Sequence, residues 1–212
     1  MLKDLAPVRY EDIIDQLCSK GYAVVDQFTP SSECISLREL LIQRKLDGDF
    51  RPAAVGKEAA KSIISTQRND HILWLDEEDK AEEVQAWFRR IRLLSDSIRK
   101  GMFLPINHFE CHFAHYPAGS FYKKHLDGFK NNDERQISVI AYLNPDWTQE
   151  DGGELLIYDH HVRPASKQPI IDRIEPIMGR VVFLMSQQIP HEVATSKNDR
   201  FSITGWLRNN RI

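Results

Sequence analysis

The sequence predicts an α+β protein, mainly β. The expected architecture is a double-stranded β-helix (jelly roll) with N-terminal helices packed on one sheet. Three observations carry this. From about residue 106 onward, short strand-like runs recur to the end: CHFAHY, ISVIAYL, GELLIYD, PIIDRI, RVVFLM and FSITGWL. Turn signals separate them, at Pro117-Ala-Gly119, Asn131-Asn-Asp133, Asp151-Gly-Gly153 and Met178-Gly179. Many short strands at this spacing suit a sandwich, and their number suits a double-sheet jelly roll. The residues before 106 instead carry helical periodicity.

In chain order, Val8 to Lys20 places Ile13, Ile14 and Leu17 on one face before Gly21, an amphipathic helix with a glycine stop. Tyr22-Ala-Val-Val25 reads as a short strand. Ser31 or Ser32 is placed to cap a helix through Cys34, Leu37, Leu40 and Leu41. Residues 47–70 break the pattern with Gly48, Pro52 and Gly56, and so long a loop in a compact domain is usually functional. His71 to Leu75 reads as a strand. Asp76 to Lys100 reads as a charged helix with Val84, Trp87, Phe88, Ile91 and Leu94 on one stripe, ended by Gly101.

The 212 residues suit one domain, with 1–105 as helical support and mobile loop and 106–212 as the jelly-roll core. A hydrophobic fraction of 42% and a charged fraction of 28% are those of an ordinary globular chain. Net charge is −3, from 28 basic against 31 acidic residues, which speaks against a nucleic-acid partner. No stretch approaches the length of a membrane span. Cys18, Cys34 and Cys111 form no CxxC pair, so reduced and mostly buried thiols in a cytoplasmic protein are expected.

The chemistry concentrates in Tyr122-Lys-Lys-His125-Leu-Asp127-Gly128. On a strand, His125 and Asp127 share a face. Such a pair alone is weak, because His-x-Asp arises by chance in many chains. His191, in Gln188-Ile-Pro-His191, supplies a third ligand at a strand start. Two neutral imidazoles and one carboxylate leave open positions, an arrangement suited to iron(II), a bidentate cosubstrate and dioxygen. Arg200 follows nine residues later at the head of Arg200-Phe-Ser-Ile-Thr-Gly-Trp206, and its planar fork matches a carboxylate. Tyr142 is placed to join it on the far carboxylate of 2-oxoglutarate.

Other histidines are expected to be structural: His108 and His112 as hydrogen-bonded strand residues, although a second metal site there is conceivable, and His160 and His161 solvated in a turn. Trp74, Trp87 and Trp147 read as core or surface anchors, and Lys123-Lys124 as a solvated strand edge.

From about His112 to Arg208 the chain resembles the catalytic domain of the prolyl hydroxylases that modify hypoxia-inducible factor, and their bacterial relatives. The strings that carry the resemblance are HYPAGSFYKKHLD, ISVIAYLNPDW, EDGGELLIY, IEPIMGRVVFLMSQQIPHEV and RFSITGW. Upstream, GDFRPAAVG and RNDHILWL resemble the mobile finger loop and following strand that close over a protein substrate. The animal oxygen sensors' zinc-finger module has no counterpart here, so the resemblance is to the compact bacterial form.

The resemblance implies His125, Asp127 and His191 as iron ligands, and Arg200 with Tyr142 on the 5-carboxylate of 2-oxoglutarate. Tyr116 and Thr204 would line the cosubstrate pocket. Tyr122 and Trp206 would stand near the substrate proline, and Arg135 and the Arg68–Asp70 pair would shape the entrance. It further implies Fe(II), 2-oxoglutarate and O2, with ascorbate as a reductant, and a protein substrate carrying the target proline, elongation factor Tu among bacterial examples. Two alternatives stay open: the same chemistry on a free amino acid, another small molecule or alkylated nucleic acid, and a non-catalytic jelly-roll binding module.

Overall fold

In a computed structural model that describes residues 9–54, 65–128 and 134–210, three helices and eleven strands build two facing sheets. The helices are α1 (Tyr10–Lys20), α2 (Ser31–Leu46) and α3 (Glu82–Met102). The strands are β1 (Tyr22–Val25), β2 (Arg51–Pro52), β3 (His71–Leu75), β4 (His108–Tyr116), β5 (Tyr122–His125), β6 (Arg135–Tyr142), β7 (Leu155–Tyr158), β8 (Ile170–Ile174), β9 (Val181–Met185), β10 (His191–Val193) and β11 (Arg200–Arg208).

The larger sheet has seven strands in the order β1-β9-β6-β11-β4-β3-β2, and the smaller has four, β5-β10-β7-β8. Every pairing within them is antiparallel. The segment before residue 106 is therefore more than helical support, since β1, β2 and β3 extend the larger sheet at both ends. β2 falls within the 47–70 stretch read as loop. Residues 55–64 of that stretch, and the turn expected at Asn131–Asp133, lie outside the described residues.

Strand alternation splits the core in two. On β11, Phe201, Ile203 and Leu207 face outward and pack with Leu17, Trp87, Phe88 and Ile91 of the helices. The α3 stripe Val84, Trp87, Phe88, Ile91, Leu94 and Ile98 is buried as its period requires. The opposite face of the larger sheet meets the smaller one through Ala114, Ile140, Val182 and Leu184 against Leu155, Ile157 and Val193. Each such aliphatic side chain contributes about 1.5–3 kcal/mol on burial, so the two sheets are held at a fixed spacing.

Several local readings change. Ser31 is the first helical residue of α2 after Pro30, and no side chain caps that end. Helix α3 begins at Glu82 rather than Asp76, because the acidic side chains before it bond turn amides: Asp76 accepts from Glu78 N at 2.8 Å, and Asp79 from Ala81 N at 3.0 Å. Gly101 does not stop α3. It lies within the helix, where a Cβ would come 2.7 Å from Ile14 Cδ1 of α1, so glycine is there for close helix approach. The left-handed residue that ends α3 is Phe103, φ 53°. Gly21 does close α1, at φ 79°, with its N–H donating to Leu17 O. The three cysteines are free. Cys34 and Cys111 are buried, whereas Cys18 is exposed.

Candidate active site

His125 ends β5 and His191 begins β10, and the two are directly paired across the strands. Their rings are 4.3 Å apart between centroids. The His125 Nδ1 lies 2.8 Å from Lys123 O, and the His191 Nδ1 lies 3.0 Å from Ile189 O. A carbonyl only accepts, so each ring carries its proton on Nδ1 and leaves the Nε2 lone pair free. Both Nε2 atoms face Asp127, His125 at 3.4 Å from Oδ1 and His191 at 3.7 Å from Oδ2. The ligand atoms of the three residues lie within 4.8 Å of one another. Backbone carbonyls that fix tautomer and ring plane are the support a metal-ligating histidine needs.

The electrostatics agree with a metal-binding state. Burial pushes the Asp127 carboxyl up, but the charge that His191 and His125 carry when protonated, with a hydrogen bond from the Ser138 hydroxyl, outweighs it and holds the carboxyl well below the usual carboxylate range. Burial, reinforced by His125, depresses His191 to about 4. The set is one carboxylate and imidazoles with free lone pairs. Glycine at 128 is a steric requirement here, because a Cβ would come 2.4 Å from Gln187 Cγ.

Arg200 and Tyr142 lie on the larger sheet, facing the smaller one. Arg200 is 1% exposed and Tyr142 0%. The Arg200 Nε donates to Gly153 O at 3.0 Å. Its Nη2 and the Tyr142 hydroxyl are buried without a hydrogen-bond partner among the described residues. The guanidinium lies 5.0 Å from the ring centroids of both Tyr116 and Tyr142. Burial raises the pKa of both phenols, so they are neutral donors. Orphaned buried donors beside a cation cost about 1–3 kcal/mol each, more for charged groups. A carboxylate would satisfy both groups. Thr204 pairs with His112 on β4 and Ile140 on β6, two residues along the same face from Ser202, which pairs with Tyr142.

The residues expected at the entrance form two groups. In one, Tyr122 stacks on His125 with centroids 3.6 Å apart and planes at 13°, and the Arg68 guanidinium lies 4.2 Å from the Tyr122 ring. In the other, the Arg135 guanidinium lies 3.5 Å from the Trp206 ring centroid and bonds Glu110 at 3.0 Å. The Trp206 and His112 rings are 5.5 Å apart, and Trp74 meets His112 edge-on at 4.9 Å.

Three site contributions were missed in the sequence. His112 was expected to be hydrogen-bonded, yet its Nδ1 has no partner among the described residues, and burial with the nearby Arg68 and Arg135 charges depresses it to about 3. Gly153 sits in a turn dipeptide of the sequence, but at φ 70° its carbonyl holds Arg200, and a Cβ would lie 3.2 Å from Arg200 Cδ. Ser138 bonds Ser186 at 2.9 Å beside Asp127. Its inward parity in ISVIAYL was the available signal. Among the described residues, neither group of three or more close potential metal ligands includes His108 or His112. Asp159, His160 and His161 do lie within metal-binding distance of one another, on an open turn. Lys124 is not a free strand edge: its Nζ donates to Ala165 O at 2.6 Å and lies 4.1 Å from the Tyr158 ring. Trp147 anchors the turn by donating to Gly152 O at 2.9 Å.

Residues 111–208 match the sequence profile of the 2OG-Fe(II) oxygenase superfamily. The crystal structure of a Pseudomonas putida prolyl-4-hydroxylase is similar over 95% of this chain and 99% of its own, at 32% identity and a TM-score of 0.82. A Trichoplax adhaerens prolyl hydroxylase, in complex with a hypoxia-inducible factor oxygen degradation domain peptide fragment, is similar over 94% and 89%, at 25% identity and a TM-score of 0.79. The Caenorhabditis elegans hypoxia-inducible factor prolyl hydroxylase is 32% identical over 92% of this chain, which spans 28% of that protein's length. The human prolyl hydroxylase EGLN3 is 28% identical over 97% of this chain and 86% of its own.

Proposed function

The chain belongs to the 2OG-Fe(II) oxygenase superfamily, and from that premise we propose that it hydroxylates a prolyl residue in a protein. The observation that carries this is the convergence of His125 Nε2 and His191 Nε2 on Asp127. The buried, unpartnered donors of Arg200 and Tyr142 stand with it. The family uses Fe(II), 2-oxoglutarate and O2; the residues present fit the metal through His125, Asp127 and His191 and a carboxylate of the cosubstrate through Arg200 and Tyr142. Similarity along nearly the whole chain to a prolyl-4-hydroxylase supports proline as the target.

In this reading His125, Asp127 and His191 hold the iron. The bound iron, with 2-oxoglutarate and dioxygen, supplies the oxidant for an unactivated C–H bond, with succinate and carbon dioxide as coproducts, and ascorbate serves to keep the metal reduced. The chain supplies position and a dry chamber. Arg200 and the Tyr142 hydroxyl bind the 5-carboxylate, with Tyr116 and Thr204 lining the chamber around it. Gly153 O holds the guanidinium so that its outer edge is free to bond. Tyr122, Trp206, Arg135 and Arg68 shape the cleft that receives the proline.

Residues 1–212 act as one domain in this proposal, because β1 and β3 hydrogen-bond into the sheet that carries Arg200. No helix among the described residues is long and apolar enough to cross a membrane, and the free cysteines support a reducing, cytoplasmic setting. Elongation factor Tu, which the bacterial resemblance implies, is the first protein to test. The enzyme is incubated with Fe(II), 2-oxoglutarate and ascorbate in air, with elongation factor Tu, proline-bearing peptides or free proline. Succinate is followed by NMR and added oxygen by peptide mapping. Succinate formation coupled to hydroxyproline in a polypeptide is expected. Coupling to free proline alone would make the substrate a small molecule, and no 2-oxoglutarate turnover in any arm would refute the proposal.

A further inference from the structure

We propose that Tyr122, clamped by Arg68, is a positioning residue for His125, so that residues 67–70 ahead of β3 set how tightly the site holds its metal. The inference rests on the reading of His125, Asp127 and His191 as iron ligands.

The two histidines are not supported alike. His191 lies on β10, which is paired on both sides, by β5 and by β7. His125 lies on β5, the end strand of its sheet, and its side chain is 12% exposed against 4% for His191. The Nδ1 bond to Lys123 O fixes one atom of the ring but leaves the ring free to tilt about that bond. The near-parallel contact with Tyr122, at 3.6 Å and 13°, removes that freedom.

Tyr122 is in turn held by the segment ahead of β3. Arg68 forms an isolated β-bridge with it and places its guanidinium 4.2 Å from the ring. Two bonds to the fully buried Asp70 side chain, at 2.7 and 2.5 Å, fix the guanidinium. The Gln67 carbonyl accepts from Lys123 N at 2.9 Å, and the Asn69 Oδ1 accepts from Phe121 N at 2.9 Å. Residues 67–69 thus pair with the outer edge of β5, which would otherwise present unpaired backbone groups. Asp70, Arg68, Tyr122 and His125 form one line of contact: carboxylate, guanidinium, phenol, imidazole. Partners beyond the ligands themselves typically change metal affinity by about 10–100-fold when removed.

The test uses Co(II) as the probe on the intact chain. Affinity is read by ligand-field absorbance and release by a chelator chase. Tyr122→Leu and Arg68→Ala are expected to weaken Co(II) about tenfold, to speed its release comparably and to shift its absorption envelope; the metal-free melting temperature should hold in Tyr122→Leu and fall in Arg68→Ala, which strands the buried Asp70 carboxylate. Tyr122→Phe, which keeps the stack, is expected to match the wild type, and Arg68→Lys to fall between. If the wild type takes up no Co(II), or His125→Ala binds it unchanged, the iron-ligand reading fails. If those two behave as expected while Tyr122→Leu and Arg68→Ala release Co(II) at the wild-type rate, this inference alone is overturned. It is also overturned if affinity falls with an unchanged envelope and a lowered melting temperature, the signature of general destabilisation. Should Tyr122→Leu not fold, Arg68→Ala decides on the same readouts.

Discussion

His125 and His191 present their Nε2 atoms to opposite oxygens of one carboxylate, 3.4 and 3.7 Å from Asp127 Oδ1 and Oδ2. Strand pairing sets His125 opposite His191, and Asp127 joins them from the bend that follows β5. Replacing His125, Asp127 or His191 with alanine is therefore expected to weaken Fe(II) or Co(II) by more than about a hundredfold, beyond the effect of losing an outer partner. Turnover of 2-oxoglutarate should fall with it. Calorimetric metal titration beside circular dichroism checks that binding is lost and the fold kept.

Arg200 should divide cosubstrate binding from metal binding. Arg200→Ala removes a charged, bidentate-capable donor, worth about 1.5–3 kcal/mol, and is expected to raise the 2-oxoglutarate KM roughly 10–150-fold. Co(II) affinity without cosubstrate should stay at the wild-type value. Tyr142→Phe removes one neutral donor and should cost about fivefold. Steady-state kinetics against 2-oxoglutarate read both.

His112 predicts an acid sensitivity of the metal-free fold. Its pKa is depressed from 6.5 to about 3, by burial first and by Arg68 and Arg135 after it. Below pH 6.5 the unfolded chain takes up a proton that the folded one refuses, so stability falls as pH drops from about 6.5 towards 3 and is fully present above 6.5. At 1.36 kcal/mol per pK unit, the span amounts to a few kcal/mol as an order of magnitude. Urea melts at pH 7.5 and 5 should show a smaller loss for His112→Met than for the wild type.

Gly205 predicts a purely structural failure. On β11 between β4 and β6, a Cβ there would come 2.5 Å from Glu110 O and 2.6 Å from Cys111 Cβ. Gly205→Ala should cost about 1–3 kcal/mol by overpacking. Denaturant melts of the metal-free protein would show the loss as a lower midpoint at unchanged slope.

The jelly-roll strands were legible because period-two alternation and turn dipeptides are local signals. The triad was legible because His125 and Asp127 are adjacent and His191 opens a strand of its own. What stayed hidden depends on distant partners. Gly101 reads as a stop until Ile14 is seen against it. Gly153 reads as a turn until Arg200 is seen on its carbonyl. His112 reads as an ordinary strand histidine until Trp74 and Trp206 are placed around it. The Tyr122–His125 stack is out of reach for another reason: ideal strand geometry puts positions three apart on opposite faces, and the extra residue on β5, where His125 and Tyr122 pair with His191 and Val193, breaks that rule here.

The division of the site between the two sheets has a consequence for what the chamber will accept. The histidines proposed as metal ligands belong to the four-stranded sheet, and Arg200 and Tyr142, proposed to bind the cosubstrate, to the seven-stranded one. Their separation is set by the aliphatic layer between, Val182 and Leu184 against Leu155 and Ile157. In the proposed function that layer acts as a caliper on the cosubstrate. It gauges the carbon chain between the two ends of a keto diacid, and trimming or thickening it would reset the length that fits without touching a single polar group.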